Sequence, residues 1–149
     1  MAKKYYNKDD KTVAEVIVLG IVRALWWLIR LPFKSFNKPK AGINNIDRNY
    51  ILKKRSEINK MLNSENEYEI KHAILEADKL VDFLLKKKGY GGHSFSDRLR
   101  AAKEFTNPKL YEEVWKGHKV RNKVAHDEKD IKPQVIIEST QKLLKYLEV

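Results

Sequence analysis

Residues 115–127 read WKGHKVRNKVAHD. On a helix, His118, Asn122 and His126 fall at i, i+4 and i+8 and stack along one stripe, with Arg121 beside it. One helix end then presents two imidazoles, an amide and a guanidinium. An imidazole can take or give a proton near neutral pH. A guanidinium grips phosphate through a bidentate fork and stabilises charge that develops in a transition state. Asn122 can orient either group. No metal or other cofactor is required. The set suits cleavage of RNA, in which a base removes the 2′-hydroxyl proton and the resulting oxyanion attacks its own phosphate. DNA lacks that hydroxyl and would not react this way.

Plainer readings stand beside this one. An Arg–carboxylate pair and a histidine near a helix C-terminus are stabilised by the helix dipole alone. His118 reads as a dipole-facing or core-edge residue. His72 reads as a helix-surface residue and His93, in GYGGHSF, as a loop residue. Four histidines without a tight carboxylate constellation do not compose a zinc site. There is no cysteine, which excludes disulfides, iron–sulfur clusters and thiolate zinc sites. Gly89-Tyr90-Gly91-Gly92 follows a helical pattern rather than a strand and lacks a G-K-[ST] ending, so it reads as a helix stop, not a phosphate loop. Lys86, Lys87 and Lys88 complement the dipole at that helix end, and Trp115 belongs to the core.

The elements that must position these side chains are all helical. The chain has 149 residues, enough for one domain and an appendage. Charged residues make up 34% and hydrophobic ones 42%, with six Gly and four Pro, a profile that argues against an all-β fold full of tight turns. Five helical segments are expected in residues 45–149, arranged as an up-and-down bundle of four to five helices. The first, 45–62, has a thin apolar stripe of Ile46, Tyr50, Ile51, Ile58, Met61 and Leu62. The second, 66–88, is the most amphipathic, with Ile70, Ile74, Ala77, Val81 and Leu84 at three- and four-residue steps and Leu80 and Leu85 widening the face. Ser94 caps a short helix over 95–105, with Asp97 in its first turn. Asn107-Pro108 opens a fourth over 109–126. Pro133 opens a fifth that carries Val135, Ile136, Leu143, Leu144 and Leu147.

The N-terminal third differs. Net charge is +11 overall, and residues 1–40 hold nine Lys or Arg against three Asp or Glu. Residues 1–11 read as a disordered basic tail. Residues 12–33, TVAEVIVLGIVRALWWLIRLPF, form a separate hydrophobic and amphipathic helix capped by Thr12 and ended by Pro32. Glu15, Arg23 and Arg30 fall within about 80° of one another on the helical wheel and leave a wide apolar face. Only 14 residues separate Glu15 from Arg30, whereas a spanning helix needs about 20 apolar residues. Arg23 at mid-bilayer costs about 2.5–3.5 kcal/mol. An in-plane helix tolerates the charged stripe and sets Trp26 and Trp27 at headgroup level with Arg23, Arg30 and Lys34. Spanning the bilayer, or packing on the domain or a partner, are the competing arrangements. No A-x-A-like cleavage site follows the apolar run, which argues against a secretory leader. Residues 34–44, rich in Lys with Pro39 and Gly42, read as a linker. The expected location is the cytoplasmic side of the cell membrane.

Arg121-Asn122 followed by His126 reads R-N-x-x-x-H and resembles the R-x4–6-H signature of HEPN domains. IKHAILEADKLVDFLLKKKGY looks like an earlier helix of that family, and SFSDRLRAAKEF with VWKGHKVRNKVAHD is similar to its later helices. The resemblance covers roughly residues 65–149. It implies a bundle of four or five helices and, in active members, a metal-independent endoribonuclease that works as a homodimer with both Arg–His pairs lining one cleft. Other members bind nucleotides or serve as interaction modules without catalysis. By this resemblance Arg121 holds the phosphate, His126 is the acid or base and Asn122 supports them, with His118 nearby. Glu76 or Asp78 fills the family's acidic position. The N-terminal extension departs from the family pattern.

Overall fold

The computed structural model describes residues 42–127 and 131–148. The tail 1–11, the helix expected over 12–33 with Arg23, Trp26, Trp27 and Arg30, and Lys34 with most of the linker lie outside the described residues. The described chain is all-helical. Its elements are α1 (Asn45–Leu62), α2 (Glu67–Lys87), α3 (Phe95–Ala101), a 3₁₀ turn (Lys103–Phe105), α4 (Pro108–Ala125) and α5 (Pro133–Lys145). No helix among the described residues is long and apolar enough to cross a membrane.

Four of the five described α-helices begin at a side chain that caps them, and α5 begins instead at Pro133, after a Lys132 that makes no capping bond. Asn44 Oδ1 accepts from the Asp47 N–H at 2.7 Å, and Asn66 Oδ1 accepts from the Tyr68 N–H at 2.9 Å. Ser94 and Asp97 form a reciprocal capping box, each side chain bonded to the other's backbone N–H. Asn107 Oδ1 accepts from Lys109 and Leu110, and Pro108 occupies the first turn of α4, where no N–H is needed. At the other end of α2, Gly89 adopts a left-handed φ of 80°. The Tyr90 N–H then reaches back to the Leu85 carbonyl at 3.1 Å, the closure that ends a helix at glycine. The short helix expected over 95–105 is divided instead. The Ala102 N–H is shared between the Arg98 and Leu99 carbonyls, and the chain tightens into the 3₁₀ turn.

The apolar spacing of α2 makes it the hub. It packs against α1, α3, α4 and α5, and α4 packs against α5. Ile70, Ile74, Ala77, Leu80, Val81, Leu84 and Leu85 are all buried, as their periodicity predicts. Ile51 and Ile58 of α1, Leu99 of α3, Val114 of α4 and Ile136, Leu143 and Leu144 of α5 complete the core. Val135 is exposed, because one residue's step of about 100° carries it off the face that Ile136 buries. Ile46 and Tyr50 are exposed as well, so the stripe of α1 is thinner than its sequence suggests.

Gly117 sits where α4 meets α5. A Cβ placed there would lie 2.7 Å from Leu143 Cγ and 2.9 Å from the Ser139 carbonyl oxygen. The backbones approach closely only because no side chain intervenes. Gly117→Ala is therefore expected to destabilise the domain by about 1–3 kcal/mol. Chemical denaturation followed by circular dichroism measures this, and an unchanged midpoint would contradict the close approach.

Candidate functional site

Asp78 lies at the edge of the apolar face of α2, one helical turn beyond Ile74. It is only 4% exposed. A carboxylate at that depth costs free energy unless polar partners replace its water. α4 supplies them. His118 Nδ1 lies 2.7 Å from Asp78 Oδ1, and Arg121 Nε lies 3.4 Å from Asp78 Oδ2. The Arg121 Nη1–H donates to Asn122 Oδ1 at 3.0 Å. Asn122 Nδ2 lies 3.3 Å from His118 Nε2. Asp78, His118, Asn122 and Arg121 thus close a ring.

The ring assigns its own protons. Arg121 can only donate, so the Asn122 oxygen faces it and the Asn122 NH₂ faces His118. His118 Nε2 must then accept, and its N–H sits on Nδ1 and donates to Asp78. Rings hold the imidazole in place. Phe95 stacks on it at 4.2 Å with 10° between planes, and Trp115 meets it edge-on at 5.9 Å. One group is left out. Arg121 Nε is buried and has no hydrogen-bond partner. Charge attraction, rather than a well-aligned bond, joins it to Asp78.

The cluster borders a cavity of about 310 Å³, whose lining includes Asp78, Lys79, Phe95, Ser96, His118 and Arg121. Asp82 also lines it and is tied down. Arg98 Nε donates to Asp82 Oδ1 at 2.6 Å while Nη1 donates to the Gly92 carbonyl at 2.5 Å, which fixes the loop leading into α3. Lys86 pairs with the second Asp82 oxygen at 2.8 Å. Gly92 has a φ of 141°, and a Cβ there would collide with the Asp97 side chain. A depression of about 500 Å³ where α1 leads into α2 is bordered by Glu57, Lys60, Asn66, Glu69 and His72 together with Met61 and Tyr68.

The expected site residues separate into two groups. Arg121, Asn122 and His118 come together, and Asp78 joins them. Glu76 faces away and pairs with Lys79 at 2.8 Å. His126 forms the C-cap of α4, is exposed, and is not among the residues that line the cavity. Asp127 follows it with a φ of 50°, the left-handed turn that stops the helix. Ser96 was missed by sequence reasoning. A serine inside a short helix carries no local signal, and only the fold brings it to His118. The signal for Asp78 was present, as an acid bordering an apolar face. Among the described residues, no three His, Asp or Glu side chains converge as metal donors.

No family model matches the chain, and no curated protein or solved structure does either.

Burial raises the cost of ionising Asp82, but hydrogen bonds from Arg98 and Lys86 outweigh it and hold the carboxyl below its ordinary value. A depressed acid contributes stability above the unfolded carboxylate pKa of about 3.9 and loses it as pH falls through the folded value. Melting temperature should therefore drop on acidification below about pH 4. Asp82→Asn should make that acid limb shallower, and parallel limbs in the two proteins would contradict the assignment.

Proposed function

We propose that residues 45–149 are a HEPN-like, up-and-down helical bundle that cleaves RNA without a metal. The observation that carries the reading is Arg121, a guanidinium that lines an open cavity while Asp78 and Asn122 hold it from behind. Arg121 grips the scissile phosphate. His126, five residues on and exposed, moves the proton. Asn122 orients the guanidinium, and Asp78 rather than Glu76 fills the acidic position. Charge supports this reading. From Lys116 to His126 the sequence holds four Lys or Arg and no acid, so α4 presents a field that attracts a phosphate backbone.

His118 and His126 lie eight residues apart, about 12 Å along the helix axis. Of these two imidazoles only His126 is exposed, so α4 of one chain brings one of them to a phosphate. A homodimer with its two Arg–His pairs in one cleft supplies the second. The alternative is a non-catalytic nucleotide-binding or protein-interaction module. It is favoured by one observation, that His126 does not line the cavity. Residues 12–33 hold the domain on the cytoplasmic side of the membrane through Trp26, Trp27 and the flanking basic residues.

The full chain, incubated with single-stranded RNA in EDTA, should leave 2′,3′-cyclic phosphate ends. Arg121→Ala should slow cleavage at least about 100-fold, as should His126→Ala. RNA left intact by a folded wild-type protein removes the nuclease and leaves the binding module. For the membrane segment, vesicles rich in anionic lipid should blue-shift tryptophan emission. The shift should vanish when both Trp26 and Trp27 are replaced by Phe, and an unchanged shift would sink the tether.

A further inference from the structure

Ser96 stands outside the ring but against it. Its Oγ lies 3.4 Å from His118 Nε2, and His118 Nδ1 lies 2.7 Å from Asp78 Oδ1. Hydroxyl, imidazole and carboxylate in that order form the relay that makes a serine nucleophilic, and the relay is recognised by geometry rather than by sequence position. The three residues are 22 and 40 positions apart, so tertiary structure alone assembles them.

Three features favour reactivity over a passive contact. First, the proton assignment leaves the Nε2 lone pair on the side of Ser96, with a carboxylate behind the ring to stabilise the imidazolium that forms. Second, Phe95 and Trp115 fix the imidazole plane, so the base is already oriented. Third, Ser96, His118, Asp78 and Arg121 line the same cavity. An electrophile seated there meets the hydroxyl on one side and a guanidinium on another. Asn122 donates to the same lone pair at 3.3 Å, so the resting base is shared, and the hydroxyl takes it over as its proton moves.

We propose that Ser96 is an acyl-accepting nucleophile, activated by His118 and Asp78, and that the cavity takes a small carboxylic ester. His118 Nε2 removes the Ser96 proton as Oγ bonds to the ester carbonyl carbon. The carbonyl oxygen becomes an oxyanion beside Arg121. Its collapse breaks the carbon–oxygen bond to the leaving alcohol, which departs with the proton that His118 held. Water then attacks the acyl-serine, giving one proton to His118, and the acid leaves as Ser96 recovers that proton. This activity does not rest on RNA cleavage, which needs no serine.

The experiment treats the full-length protein with a fluorophosphonate probe and maps the adduct by mass spectrometry, with p-nitrophenyl acetate hydrolysis as a second readout. The expected adduct is on Ser96, while the more exposed Ser56 and Ser94 stay unmodified as internal controls. Ser96→Ala should lose both the adduct and the hydrolysis. His118→Gln should label at least about 100-fold more slowly. Should that buried substitution unfold the domain, the wild-type and Ser96→Ala pair decides alone. A folded wild-type protein without an adduct on Ser96, or with Ser56 and Ser94 labelled as fast as Ser96, overturns the proposal. Neither result touches RNA cleavage, which the probe does not measure.

Discussion

A carboxylate withdrawn from water on the central helix demands partners, and the arrangement of α4 answers that demand. Losing hydration costs a buried carboxylate several kcal/mol, and only neighbouring donors and cations offset it. Asp78 receives an imidazole N–H on one oxygen and a guanidinium near the other. Both come from the second half of α4, so the acid of α2 sets how that half is docked. Because the polar groups form a closed circuit, each orientation dictates the next. The guanidinium turns the amide, the amide turns the imidazole lone pair, and the imidazole proton returns to the acid. Removing His118 leaves the buried Asp78 carboxylate without its imidazole partner, a larger loss than one hydrogen bond.

Much of this architecture is legible along the chain because its cause is local. Helix starts follow from Asn44, Asn66, Ser94 and Asn107, whose side chains satisfy backbone groups two or three residues away. The α2 face follows from spacing alone. The site is legible only in part. Arg121 and Asn122 are marked by their company, and the wheel of α2 turns Glu76 outward and leaves Asp78 at the margin of the apolar face. Ser96 and Arg98 escape notice because their roles depend on contacts with residues 22 and 16 positions away. A serine and an arginine on a seven-residue helix look like ordinary surface residues until the loop before them is folded back.

The two halves of the polar chemistry differ in freedom. His118 is packed between aromatic rings and can do little but hold its place or pass a proton. His126 stands at a helix end, outside that packing. Arg121 is intermediate, with its Nε buried and the side chain 30% exposed. A ligand that engages the cavity meets a preset wall, whereas one that lies along the basic outer face of α4 meets side chains that order as it arrives. The preset wall loses less entropy on binding.

Gly117 immediately precedes His118, and its missing side chain allows the backbone of α4 to rest on Leu143 and the Ser139 carbonyl. The depth of the imidazole is therefore governed by a helix on the other side of α4, and α5 has no part in the polar circuit itself. Positions 117 and 143 share one fixed volume. A methyl added at the first can be accommodated only by carving space from the second, and a chain that enlarged both would have to lift His118 away from Asp78.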